Sequence, residues 1–155
     1  MDQYCRRGPE SVQAMRSNYL AISLVIDAPI QSVWDALADW EKQGEWMIAT
    51  KVWVTSTIHD GVGTKISAFT GIKSIGILDT MEVTSWVPPF VCDVLHTGAI
   101  IKGVGKFELH EISATQTRFD WSEEVRAPRP LFLVGFPGLY MGVRISLGRF
   151  ARTFR

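Results

Sequence analysis

A strand-like run, two short helix signals, about six alternating strand segments and one long amphipathic stretch follow one another in this chain, and that order constrains its fold most. A single antiparallel sheet built in this sequence curls around the last helix instead of stacking in two layers. The gap between sheet and helix is then a pocket, so the first expectation is a domain that holds a ligand.

The order rests on residue periodicity. Leu20, Ile22, Leu24 and Ile26 alternate with Ala21, Ser23 and Val25, a strand pattern that stops at Asp27-Ala28-Pro29. Pro29 suits the first turn of a helix, where its missing N–H would be unpaired anyway. Ile30, Val33, Trp34 and Leu37 then recur on one helical face. Asp39 is a plausible cap for a second short helix from Trp40 to about Trp46, ending near Gly44 or soon after. Strands are predicted over Thr50 to Ile58, Thr64 to Phe69, Ile75 to Trp86, Phe90 to Thr97, Ile101 to Ile112 and Gln116 to Ala127. Their separators are short, which favours antiparallel neighbours in sequence order. The first strand must then pair at an edge, most naturally with the last. Phe136, Leu139, Tyr140, Val143, Leu147, Phe150 and Phe154 form a helical stripe opposite Arg144, Arg149 and Arg152. With Pro137 as an early residue and Thr153 as the end, that helix is about 25 Å long.

Composition narrows the function. The 155 residues suffice for one domain, and a hydrophobic fraction of 46% with six Trp and eight Phe must be buried or shared with a ligand. Sixteen basic residues balance sixteen acidic ones, so no global field points to nucleic acid or an anionic membrane. Cys5 and Cys92 form no CxxC pair or disulfide framework, which fits a reduced, cytoplasmic setting. The first eighteen residues are too polar for a signal peptide, and no apolar run reaches the roughly 18 residues of a spanning helix. A soluble chain is expected, with residues 1–17 a flexible extension and 18–155 the ligand-binding domain. Met15 is an alternative start, which would make the first fourteen residues an artefact of the reading frame.

Alternation also assigns faces. Val52, Val54, Ile66, Ile77, Met81, Val83, Cys92, Val94, Phe107, Leu109, Phe119 and Trp121 fall on the parity that should face inward. The same parity carries three polar residues, Asp79, His96 and Glu123. The Pro88-Pro89 turn sets Asp79 within about one residue of His96 on the next strand, and a bulge at Ser122-Glu123-Glu124 would turn Glu123 outward. Asp79 and His96 read as a structural pair, as groups orienting a ligand, or as an acid/base pair if a pKa lies near the working pH. Together with Met81, Val83, Val94, Phe107, Phe119, Trp121, Phe136 and Tyr140 they are the candidate cavity residues; no catalytic residue is assigned. His59 reads as solvated in a turn and His110 as outward-facing, while Trp53, on the opposite parity from Val52 and Val54, is either a convex-face aromatic or a sign that this strand runs in another register. Gly61-Val62-Gly63 lacks the Lys-Ser/Thr of a phosphate loop and reads as a hairpin turn, and no His/Cys spacing suggests a metal. The segment 128–138, apolar and bracketed by Pro and Gly, reads as a buried helical turn, or as a lid or patch that touches a membrane or partner during transfer.

The runs Val25-Ile26-Asp27-Ala28-Pro29, Val33-Trp34-Asp35-Ala36-Leu37-Ala38-Asp39 and Glu45-Trp46-Met47 resemble the opening of the START-like (SRPBCC) superfamily. Gly61-Val62-Gly63-Thr64 and Glu82-Val83-Thr84-Ser85-Trp86-Val87-Pro88-Pro89 are similar to its later landmarks, nearest to the polyketide cyclase/dehydrase and lipid transport branch. The resemblance runs from about residue 19 to the end. It implies an α+β helix-grip: a seven-stranded antiparallel sheet curved around the long C-terminal helix, two short helices after the first strand, and an internal cavity. Three functions are open: a carrier of a lipid, isoprenoid or polyketide-like molecule, a polyketide aromatase/cyclase, or a ligand-free interaction module. A carrier keeps binding when Asp79, His96 and Glu123 become Asn, Gln and Gln; a cyclase loses turnover. No cofactor is expected, membrane contact only transiently, and a monomer or weak homodimer, since Lys106, Glu108, Arg118 and Asp120 give the convex face a solvated character.

Overall fold

A computed structural model describes residues 17–126 and 129–155. The expected N-terminal extension and alternative start, apart from Ser17, lie outside the described residues. Strand β1 spans Ser17–Ile26 and is followed by helix α1 (Ile30–Ala38), a single 3-10 turn (Trp40–Lys42) and helix α2 (Gln43–Trp46). Strands β2 (Thr50–Val54), β3 (Lys65–Ile72), β4 (Ile75–Val87), β5 (Val91–His96), β6 (Gly103–Ser113) and β7 (Gln116–Arg126) lead to helix α3 (Arg129–Arg152).

All seven strands form one antiparallel sheet in the order β1-β7-β6-β5-β4-β3-β2. The chain-order meander and the β1–β7 closure are as expected, with Leu24 opposite Phe119 and Leu20 opposite Glu123. Inner-face side chains build the core. Ile66, Val83, Cys92, Val94, Leu109 and Phe119 are buried against Val33, Trp34 and Leu37 of α1 and Leu147 and Phe150 of α3. Phe119 is at the centre, with its ring 5.8 Å from that of Phe107 and 6.1 Å from that of Phe150.

Several local expectations are corrected. Pro29 caps α1 from outside with extended backbone (ψ 147°) and does not occupy its first turn. Asp39 makes no side-chain cap; its carboxylate instead lies 2.7 Å from Lys42 Nζ. Strand β2 ends at Val54, four residues early, while β3 runs on to Ile72. Ile77 shares the inner parity but is 42% exposed, because β4 overshoots β5 and this stretch has no core above it. Helix α3 begins at Arg129, eight residues before Pro137, and Pro137 lies inside it. Pro130 takes the early position in which a missing N–H is tolerated. At 24 residues the helix is about 36 Å long. Leu133 and Val134 are exposed on it, so the described part of the apolar segment is not a buried turn.

Candidate functional site

The sheet brings Asp79, His96 and Glu123 into contact on its concave face. His96 ends β5 and pairs with Met81, which puts Asp79, two residues earlier on β4, on the same face. That relation depends on a bulge. Val83 pairs with Val94 but Ser85 with Asp93, so Thr84 is an extra residue in β4. The bulge lets Trp86 below it and Val83, Met81 and Asp79 above it all point inward, although their parities differ. Trp86 uses this to pack edge-on to Trp34, 4.9 Å between centroids. Strand β7 has no bulge at Ser122-Glu123-Glu124, so Glu123 stays on the inner face.

His96 and Glu123 are on strands separated by β6, so a side chain on β6 would normally stand between them. The inner positions of β6 at this point are Gly103, opposite His96, and Gly105, opposite both Val94 and Glu123. A Cβ on Gly105 would lie 2.9 Å from Glu123 Oε1 and 3.0 Å from Val94 Cγ2. Gly105 therefore opens the channel through which the carboxylate reaches the imidazole. These two glycines were not singled out by sequence reasoning. The legible signal was the alternation Gly103-Val104-Gly105 at the inward parity of a strand.

The resulting geometry is tight. His96 Nδ1–H donates to Asp79 Oδ2 at 2.7 Å, and Nε2 lies 2.9 Å from Glu123 Oε2. The second contact is an ion pair without the alignment of a hydrogen bond, which leaves Nε2 with no hydrogen-bond partner in this geometry. Burial works against a charged ring here, but the close contacts and charges of Asp79 and Glu123 outweigh it and push the His96 pKa up to about 10. Asp79 Oδ1 is buried and accepts no hydrogen bond, and Gly98 runs beside it, since a Cβ there would sit 3.3 Å away. The three groups bind one another and do not converge on a common point; among the described residues no group of three His, Cys, Asp or Glu is placed to hold a metal ion.

The apolar candidates divide into two sets. Val83, Val94, Phe119 and Trp121 are buried in the core. Met81, Phe107, Phe136 and Tyr140 are half-buried against it, the last two with stacked rings 6.1 Å apart. Burial pushes the Cys92 thiol up to about 12, so it serves as an inert core side chain. Beneath α1, Trp34, Trp40, Trp86 and Phe107 enclose only about 10 Å³. A groove of about 480 Å³ opens at the far end of the sheet from His96, between α1, the 3-10 turn and the β2–β3 loop. It is lined by Trp34, Asp35, Trp40, Glu41, Asp60 and Trp86 among others, and it is not under α3, where the hollow was expected. His59 lies on its rim, exposed as expected. His110 and Trp53 face outward, and Lys106–Glu108 and Arg118–Asp120 pair on the convex face at 3.0 Å each.

With this geometry in hand, solved structures give a consistent answer. The Zhui aromatase/cyclase of Streptomyces sp. R1128 superposes with a TM-score of 0.67 at 18% identity, over 90% of this chain and 97% of its own. A START superfamily protein from Mycobacterium smegmatis gives 0.70 at 12% identity, over 87% and 98%. A protein from Thermus thermophilus gives 0.73 at 12% identity, over 87% and 95%. The fold is the START-like helix-grip. No family model and no curated protein matches the sequence. At these identities, the START-like likeness is one of architecture alone.

Proposed function

We propose that the chain binds an apolar small molecule on the concave face beside α3, admitted when the loosely covered N-terminal half of that helix moves aside, with the molecule's one polar end held by Asp79, His96 and Glu123. The observation that carries this reading is the unsatisfied acceptor. Asp79 Oδ1 is buried with no hydrogen bond, a cost of about 1–3 kcal/mol that a ligand donor would offset. Two carboxyl groups face one imidazole, so the site is rich in acceptors and suits a hydroxyl or amine better than a carboxylate. The half-buried Met81, Phe107, Phe136 and Tyr140 would supply the apolar wall, at about 25 cal/mol per Å² of ligand surface covered.

The aromatase/cyclase reading draws on the likeness to the Streptomyces enzyme and on an imidazole at the site. His96 gives it little support: a ring with a pKa of about 10 is already protonated at neutral pH, so it cannot act as a general base and only a proton donor's part is left to it. Binding is the better supported function.

The test is fluorescence titration with N-phenyl-1-naphthylamine, together with mass spectrometry of small molecules that co-purify. Saturable binding is expected, displaced more readily by a long-chain alcohol or amine than by the fatty acid of equal length. Met81→Trp should block it by filling the wall. Absence of saturable binding, or preference for the fatty acid, would overturn the proposal.

A further inference from the structure

The antiparallel order puts the β3–β4 hairpin, the β5–β6 loop and the start of α3 at one end of the sheet, the end at which β5 terminates in His96. Each contributes uncovered apolar side chains: Ile72 (75% exposed) and Ile75 (83%) at the hairpin tip with Leu78 behind them, Ile100 (63%) in the loop, and Leu133 and Val134 (84%) on the helix. Isolated exposed aliphatic residues are ordinary, but six on three neighbouring tips are not.

Charge is segregated in the same way. Residues 69–78 and 97–107 contain no Asp or Glu, and neither does the whole stretch 125–155. The basic residues Lys73, Lys102 and Arg126 stand exposed among the apolar tips. Among the described residues, the acids nearest to them are Asp79 and Glu123, both engaged with His96, and Glu124 on the outer face of β7. The opposite end carries Asp27, Asp35, Asp39, Glu41 and Asp60, together with Lys42, paired to Asp39, and the exposed Arg149, Arg152 and Arg155 at the C-terminal end of α3. Among the described residues the apolar tips at the His96 end are thus set in a locally basic surface.

We infer that this end docks on an anionic lipid bilayer. Projecting aliphatic tips interleaved with cations are complementary to a surface with negative headgroups above an apolar interior. Docking would also set the triad's end of the sheet against the membrane from which an apolar ligand would be drawn, but the inference stands on exposure and charge and does not require the ligand-binding reading.

Vesicle co-sedimentation of the full chain without ligand tests it, comparing pure phosphatidylcholine with phosphatidylcholine carrying about 30% phosphatidylserine. Binding to the mixed vesicles is expected, weakening as salt rises over the range in which the screening length shortens to about 8 Å. Lys73→Glu should lower it at least about fivefold. Ile75→Glu and, on a separate element, Val134→Glu should abolish it. Val62→Glu, in the exposed loop at the opposite end, should leave it unchanged. No binding to either vesicle, equal binding to both, or retention by Ile75→Glu and Val134→Glu would overturn the inference. So would a dimer in sedimentation velocity that Ile75→Glu dissolves, since the face would then belong to a second copy.

Discussion

His96 contributes to stability with a definite sign. Its folded pKa of about 10 lies above the ordinary 6.5, so its contribution is fully present below about pH 6.5 and is lost as pH rises through about 10. Urea unfolding of the native chain should therefore show stability falling between pH 7 and 10, and His96→Gln should flatten that fall. The imidazole resonances should still report a protonated ring at pH 8. Gly105 acts through the same contact. Gly105→Ala puts a methyl group 2.9 Å from Glu123 Oε1, and that flexible carboxylate is what yields. The expected result is a folded protein whose His96 titrates at lower pH, read by NMR, with a loss of stability of about 1 kcal/mol. Gly103 differs, because a Cβ there would collide with the backbone oxygen of Glu124 and the residue has φ +151°. Any side chain at Gly103 strains the sheet itself.

At the scale of elements, α3 combines a buried C-terminal half with a loosely covered N-terminal half. Leu147 and Phe150 are buried, whereas Leu133, Val134, Leu139, Met141 and Ile145 are exposed. Gly142 and Gly148 are in this helix with nothing within 4 Å of an added Cβ. Gly142→Ala and Gly148→Ala should each stabilise the protein by up to about 1 kcal/mol in urea unfolding, because only helix propensity changes. The helix is also where periodicity misled. The stripe from Phe136 onward marked the part that touches core. Its first turns carry no such stripe, and Pro137 was read as a beginning although neighbouring structure sustains a helix through it. Strand alternation served better. It placed Asp79, His96 and Glu123 on one face, yet it did so without the bulge at Thr84, which is needed for Trp86 to share that face.

On the scale of the whole molecule, the sheet is closed by partners from opposite ends of the chain. Ser17 pairs with Arg126, and α3 then covers Phe119 while α1 packs on the neighbouring part of the inner face. A chain shortened to residues 1–128 would leave Phe119, fully buried when α3 is present, without its cover from Phe150. Its expected behaviour is loss of the cooperative urea transition and binding of an apolar dye. Retention of a sharp transition would mean that α1 and the sheet suffice as a core. The basic patch likewise belongs to this scale. The balanced total of sixteen and sixteen concealed it, because Lys73, Lys102 and Arg126 come from distant segments and are gathered at one end only by the alternating direction of the strands.

The sequence by itself determined the order of elements, the antiparallel meander and the inward parity of the core, since these follow from spacing within a few residues. Tertiary structure alone decided the extra residue at Thr84, the gap left by Gly105, and the contact of an imidazole with a carboxylate two strands away. Those depend on which side chains fill or vacate the space between strands distant in sequence, and local periodicity carries no record of that space.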